Sequence, residues 1–278
     1  MGRLVTQPKV SAVIVTYQTG PRLKECLYAL VSDPDVSEII LVDNGNPAAM
    51  DAWLDQFAER HGALKILRGQ GNIGFAAAVN LGAAAATHPD LLILNPDAVL
   101  RRESVRGMQA VAQCSPAPTV VGGKIFDLYG REERGGRRRE LTLWRAVTNM
   151  LGWNMWTLEQ TPAPGQPVAM PVISGAFFLI SKADFDQLGG FDEAYFLHVE
   201  DIDLCRRCRV AGGQVMYDPR AAALHFGSTS DAPSRIVAGH KADGLAYYFR
   251  KTAQNPFHRG VIELALPLMR FGLWIKSR

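Results

Sequence analysis

Cysteine is sparse. Cys26, Cys114, Cys205 and Cys208 are the only four in 278 residues, no basis for a disulfide framework and a composition that suits a reducing compartment. Long hydrophobic runs are missing as well. No stretch reaches the roughly 18 apolar residues of a membrane-spanning helix. No charged-then-apolar leader precedes the strand-like run at Val10, so neither a transmembrane helix nor a secretory signal is expected. Charge of one sign is nearly balanced, at a formal +3, which gives no case for nucleic acid. The glycine patterns of common nucleotide enzymes are absent: Tyr17-Gln18-Thr19-Gly20 follows the first strand, with neither G-x-G-x-x-G nor G-x-x-x-x-G-K, which argues against a dehydrogenase and an ATPase. What is present, 47% hydrophobic and 21% charged residues, describes a packed core, and the length suits one large α/β domain, alone or with a small appendage.

The apolar pattern alternates between strand and helix. Lys9–Thr16, Glu38–Val42, Leu64–Leu67 and Leu91–Leu94 read as buried strands; Arg22–Val31, Met50–His61 and Phe75–Ala86 read as the helices between them. Such alternation predicts a mainly parallel, Rossmann-like sheet with right-handed crossovers, flanked by helices. A helix over Arg102–Cys114 and a strand over Thr119–Phe126 follow. Residues 129–166 break the pattern, basic at Arg131, Arg134, Arg137, Arg138 and Arg139, then Trp-rich, then Pro-rich. In that insertion Trp144, Val147, Leu151 and Met155 share one face of an expected helix, with Trp153 and Trp156 nearby. Pattern resumes at Val168–Ser181. Two short strands, Val215–Tyr217 and Ala221–Leu224, precede a helical, amphipathic C-terminal region over residues 231–278, in which Val261–Ile275 is apolar but interrupted at Pro267.

Chemistry is expected at the carboxyl ends of the strands, where open α/β sheets bind ligands. Leu91–Leu94 stops at Asn95-Pro96-Asp97, and a carboxylate there suits a hard divalent ion shared with substrate phosphates; the alternative is that Asp97 caps the next helix. Asp43 ends an earlier strand, placed for a ribose or base, or else for the turn it makes with Asn44-Gly45. Gly71-Asn72-Ile73-Gly74 opens a helix and offers backbone N–H groups to a diphosphate, or simply forms a tight turn. In Glu200-Asp201-Ile202-Asp203, helical spacing turns Asp201 inward with Leu204, Cys205 and Cys208, and puts Asp203 on an exposed face with Arg206 and Arg207. Asp201 is therefore the candidate general base, or a helix N-terminal acid. The two thiols read as packing groups, since a lone pair of cysteines completes no zinc site. His225 ends a strand before a polar loop and could join a metal site with Asp97, below it in rank.

The segments VSAVIVTYQTG, EIILVDNGN, GNIGFAAAVNLG, LLILNPDAVL, SGAFFLISK, GFDEAYFLHVEDIDLCRR and AALHFGSTS, in this order, resemble glycosyltransferase family 2, which has the GT-A fold. GNIGFAAAVN and LNPDA are similar to its bacterial dTDP-rhamnosyltransferase branch. The resemblance implies a catalytic domain over residues 1–230 and an inverting, Mg²⁺- or Mn²⁺-dependent transfer from a nucleotide-diphosphate sugar to an acceptor hydroxyl. By position it implies that Thr16, Tyr17 and Asp43 hold base and ribose, and that Asn72, Gly74 and Asn80 lie along the nucleotide and diphosphate. Asp97 would bind the metal, Asn95 would replace the first acid of the family's D-x-D, Asp201 would be the base and His225 an extra metal ligand. In the branch resembled, the donor is dTDP-L-rhamnose and the product an envelope polysaccharide. The expected partners are that donor, a saccharide acceptor on a polyprenyl diphosphate, and a membrane surface. The expected location is cytoplasmic, at the inner face of the cytoplasmic membrane, with the Trp-rich insertion and the tail holding it there or else serving core or dimer packing. A UDP-sugar donor, a non-catalytic nucleotide-sugar-binding subunit and a homo-oligomer are left open.

Overall fold

The computed structural model describes residues 9–133, 135–150, 164–227 and 233–276. In chain order its elements begin β1 (Val10–Thr16), α1 (Arg22–Val31), β2 (Val36–Asp43), α2 (Ala48–Arg60), β3 (Leu64–Leu67), α3 (Phe75–Ala85), β4 (Asp90–Leu94), β5 (Ala98–Leu100), α4 (Ser104–Gln113) and β6 (Thr119–Phe126). They continue with β7 (Arg137–Arg138), α5 (Leu143–Met150), β8 (Val168–Ala169), β9 (Val172–Ile173), β10 (Phe177–Ser181), α6 (Lys182–Gln187), α7 (Glu200–Val210), β11 (Gln214–His225), α8 (Ser234–Lys251) and α9 (Pro256–Lys276).

One large sheet runs β3-β2-β1-β4-β10-β6-β11-β5, with β8 beside β11, and β7 pairs with β9 in a separate ribbon. Neighbours β3, β2, β1 and β4 are parallel, as are β6 and β11; β10 and β5 run against them. Side chains alternate across each strand. Ala12, Ile14, Leu92 and Leu94 pack with Leu23, Leu27 and Leu30 of α1, Leu54 of α2 and Met108 of α4. Val13, Val15, Leu91 and Ile93 pack on the other face with α3, α7, α8 and α9. The chain leaves β1 toward β2 on one side and returns to β4 on the other, so the carboxyl ends of β1 and β4 form a switch point where ligands bind in such sheets.

The sequence-based boundaries hold closely in the first half and need correction in the second. Residues 168–181 form three strands, because Met170-Pro171 and the turn at Ser174-Gly175-Ala176 each break the run. The two expected strands after α7 form one, β11, with a register shift between Asp218 and Ala222. Pro267 does not interrupt the tail: α9 runs through it, anchored by buried Ile262, Leu266 and Met269. Of the expected insertion helix, Leu143–Met150 is observed as α5; Leu151, Trp153, Met155 and Trp156 lie outside the described residues, as do Arg134, Ser228–Ser230 and Arg278.

Asp203 is the clearest correction. The i, i+4 pair with Arg207 forms as spacing requires, at 2.7 Å, but Asp203 is fully buried. Its other oxygen accepts from Lys251 Nζ at 2.9 Å and Tyr195 Oη at 3.4 Å. Lys251, at the end of α8, covers the face that helical periodicity assigned to solvent. Asp203→Ala should therefore cost about 3 kcal/mol, toward the low end for a broken buried pair because both cations keep other partners and some solvent. Urea unfolding would measure it; a loss below about 1 kcal/mol, the worth of an exposed pair, would contradict this role.

Candidate functional site

A cavity of about 490 Å³ opens at the carboxyl edge of β4. Three elements bring its chemistry together. The Asn95-Pro96-Asp97 corner ends β4: Ala98 N–H donates to Asn95 O at 3.1 Å, closing the turn. The short strand β5 then pairs antiparallel with β11, placing His225 opposite Ala98, and Phe226 N–H donates to Asp97 O at 3.0 Å. His225 Nε2 thereby lies 3.1 Å from Asp97 Oδ1 and 3.3 Å from Asn95 Nδ2. Its Nδ1 faces Glu133 Oε2 at 2.9 Å. Burial alone would lower this imidazole, but the Asp97 and Glu133 carboxylates outweigh it and hold His225 above its ordinary value.

Asp201 sits in the first turn of α7, facing the same cavity. Its Oδ2 accepts from the Gly175 N–H at 2.9 Å and from Arg138 Nη2 at 2.5 Å, and its Oδ1 from the Ile202 N–H at 2.8 Å. Beside it, burial and then the Asp201 charge push buried Glu200 up to about 8, favouring its protonated form. Glu200 Oε2 and Arg138 Nε are buried and, among the described residues, have no hydrogen-bond partner. The backbone ahead of α7 is strained: His198 and Val199 adopt φ of +69° and +78°, a conformation costly for a β-branched residue and common at functional sites.

Asn95, Asp201 and His225 line this cavity, as do Glu133, Arg138, Glu200 and Lys241. The expected nucleotide residues form a neighbouring rim. Thr16 is buried, and its Oγ1 accepts from Asn46 Nδ2 at 2.8 Å; Tyr17 follows at the end of β1, its ring close to Gly45. Asp43 is engaged by Arg68 Nε at 3.1 Å, Asn46 Nδ2 at 2.8 Å and the Gly45 N–H at 3.0 Å, the turn-forming role plus an ion pair. Asn72 Oδ1 accepts from the Gly74 N–H at 3.2 Å, and the Phe75 N–H donates to Phe196 O at 2.7 Å. Two amides of the expected diphosphate cradle are thus bonded within the chain. Gly74 has φ +85°, and a Cβ there would lie 2.6 Å from Phe196 O, so packing alone demands glycine. Asn80 points away from the cavity: it bonds both ways to the Phe191 backbone, at 2.8 Å each, and to Glu193.

Sequence reasoning missed Glu133, Arg138 and Lys241. The basic run around Arg138 was visible as composition, but alternation along β7 decides its use. Arg137 turns to Glu132, at 2.7 Å, while Arg138 turns to Asp201. Cys205 and Cys208 are buried as expected, burial pushing their thiols up to about 12 and about 11. Among the described residues no group of three His, Cys, Asp or Glu side chains is arranged to hold a metal.

Comparison with known proteins gives the family. Residues 11–189 match the family described as Glycosyl transferase family 2. The N-acetylglucosaminyl-diphospho-decaprenol L-rhamnosyltransferase of Mycobacterium tuberculosis is 30% identical over 252 residues, covering 83% of this chain and 81% of that protein. Rhamnosyltransferase WbbL of Escherichia coli is 24% identical over 255 residues, 87% and 93% of the respective chains. Among solved structures, GalNAc-T7 with UDP, GalNAc and Mn²⁺ superposes with a TM-score of 0.72 at 16% identity, over 95% of this chain and 51% of that one; this likeness concerns the fold, a mostly parallel GT-A sheet with C-terminal helices added. The chain belongs to glycosyltransferase family 2.

Proposed function

We propose that this protein transfers L-rhamnose from dTDP-L-rhamnose to a hydroxyl of a saccharide carried on a lipid diphosphate. One observation carries the reading: an inward carboxylate, Asp201, shares one cavity with Asn95 and His225, and buried Asp97 stands directly behind His225, beside the switch point of the sheet. The sugar and the acceptor class are taken from the Mycobacterium tuberculosis relative's name, and the dTDP carrier from the resemblance of GNIGFAAAVN and LNPDA to the rhamnosyltransferase branch.

The carboxylate, imidazole and amide of Asp97, His225 and Asn95 fit a divalent ion of the Mg²⁺ or Mn²⁺ type, provided that donor phosphates supply its remaining ligands. When bound, such an ion would stabilise the negative charge gathering on the departing diphosphate. Everything else falls to the chain. The corner orients the donor diphosphate, while Thr16, Tyr17, Asp43 and Asn72 frame the nucleotide at the adjoining rim. Asp201 Oδ1 or Oδ2 accepts the proton of the acceptor hydroxyl as that oxygen attacks the anomeric carbon from the face opposite the leaving group. The displacement is single and inverts configuration.

The acceptor class also accounts for α9. Its inner face, Ile262, Leu266 and Met269, is buried, and Met269 and Leu273 wall the cavity. Its outer face leaves Phe257, Leu264, Leu268 and Phe271 at least 60% exposed, a continuous apolar stripe at helical spacing with Arg259 and Arg270 alongside. No described helix is long and apolar enough to cross a membrane. A helix of this kind lies in the interface, basic residues toward anionic headgroups, and would hold the cavity at the inner leaflet of the cytoplasmic membrane.

Asp201→Asn should reduce rhamnosyl transfer about a thousandfold, as loss of a general base does, while calorimetry still registers donor binding. Undiminished turnover would remove Asp201 from the chemistry, and a parent protein that binds donor without ever releasing dTDP would be a binding subunit. In a panel of donors with Mg²⁺ or Mn²⁺, dTDP release from dTDP-rhamnose should exceed UDP release from UDP-hexoses; the reverse order would reassign the donor. For the membrane, Leu264→Ser, Leu268→Ser and Phe271→Ser together leave the buried face of α9 intact, whereas ending the chain near Lys251 would strip the cavity wall. The parent protein should float with phosphatidylglycerol vesicles and the triple variant should not; equal flotation would refute the docking role.

A further inference from the structure

The cavity has two ends of different character. At one lie Asn95, His225 and Glu133. At the other lie Arg138 of β7 and Lys241 of α8 among apolar walls: Leu141, Ala146 of α5, Leu245 of α8, and Met269 and Leu273 of α9. The turn between β9 and β10 orders them. Arg138 Nη2 reaches Ile173 O at 3.4 Å, Asp201 takes the next amide but one, Gly175 N–H, and Ala176 O accepts from Asn95 N–H at 2.9 Å. Asp201 therefore stands between the donor corner and Arg138, and a group beyond the base meets the acceptor.

Two cations stand at the far end, Arg138 and Lys241, beside the carboxylate of Asp201. His198 feels them: burial first, then Lys241, Arg138 and His240 against the pull of Asp201, lower its imidazole to about 4. The Arg138 guanidinium is mostly buried, and its Nε, without a hydrogen-bond partner among the described residues, is a donor kept from water with its bond unmade. The segment carrying His198 is held in its strained form by α8, where a Cβ at Gly244 would lie 2.9 Å from His198 O. A buried cation with an unused donor, next to a hydrocarbon-lined wall continuous with the helix that bears the exposed apolar stripe, fits a ligand that is a diphosphate at one point and a hydrocarbon at the next.

We propose that Arg138 and Lys241 form the subsite for the diphosphate of the prenyl-linked acceptor, with Leu245, Met269 and Leu273 against the first prenyl units. This inference rests on the transferase reading and adds the residues that select its acceptor. Arg138 serves two anions in turn. Without acceptor it closes on Asp201; the diphosphate, with more charge and more oxygens for the guanidinium fork, draws it off and leaves the base open to the hydroxyl.

The test compares two acceptors, a short-chain prenyl-diphosphate N-acetylglucosamine and octyl N-acetylglucosaminide, using the full chain with dTDP-rhamnose and Mg²⁺. Arg138→Gln and, separately, Lys241→Gln should lower the preference in kcat/KM for the diphosphate acceptor by about tenfold or more, the scale of one lost charge-assisted hydrogen bond. Equal loss on both acceptors would make Arg138 a positioning residue for Asp201 and overturn the subsite, and a raised KM for dTDP-rhamnose instead would assign the pair to the donor's phosphates and overturn it too. Calorimetry with geranyl diphosphate in the presence of excess dTDP and Mg²⁺ reads the site without turnover. Weaker binding by both variants supports it and unchanged binding refutes it, even if the transferase reading fails on dTDP release. Lys241→Gln, at the exposed rim, keeps the test decisive should Arg138→Gln fold poorly.

Discussion

The carboxylate of Asp201 is the constraint around which the second half of the chain is arranged. Its Oδ2 is held by the Gly175 amide and the Arg138 guanidinium, so one small group ties the β9–β10 turn and the β7 ribbon to the start of α7. A buried carboxylate is stable only when its oxygens are satisfied. The requirement dictates where the turn and the ribbon sit. It also bears on Glu200: burial first, and then the neighbouring Asp201 charge, favour the protonated form of this second acid.

The opposite side of the cavity follows similar logic with the signs changed. His225 lies between Asp97 and Glu133, two acids that would otherwise repel across a partly buried corner and that hold its imidazole above its ordinary value against the effect of burial. A divalent cation would answer the same imbalance, which is why this corner suits one held jointly with phosphates. Each end of the cavity therefore gathers charged groups that the chain pairs with one another and that substrates can draw into new pairs.

Helix α9 links this chemistry to its surroundings. Its buried face completes the cavity and its outer face is an apolar stripe. A helix apolar on both sides is costly to display in water, and the proposed docking on a bilayer would give each face its own environment. Within the stripe Phe271 stacks on Trp274 of the same helix, at 6.0 Å between ring centroids, and Phe257, Leu264 and Leu268 stay exposed.

Periodicity and local chemistry were enough to read the first half of the chain. Buried strand runs, the helices between them and the Asn95-Pro96-Asp97 stop depend on near neighbours, and β3 and β6 appear within the bounds expected from sequence. The inward orientation of Asp201, Cys205 and Cys208 likewise follows from helical spacing alone. What sequence could not decide were pairings over long separations. Helical spacing alone exposes Asp203, because nothing local announces that Lys251, 48 residues on by the numbering, closes over it. The meeting of His225 with Asp97 needs β5, three residues long and without a pattern of its own. Arg138 differs from its basic neighbours only in facing inward on a two-residue strand. Local order is written by short-range sterics and hydrophobic spacing; which charges share a low-dielectric cavity is fixed only when distant segments pack and must neutralise one another.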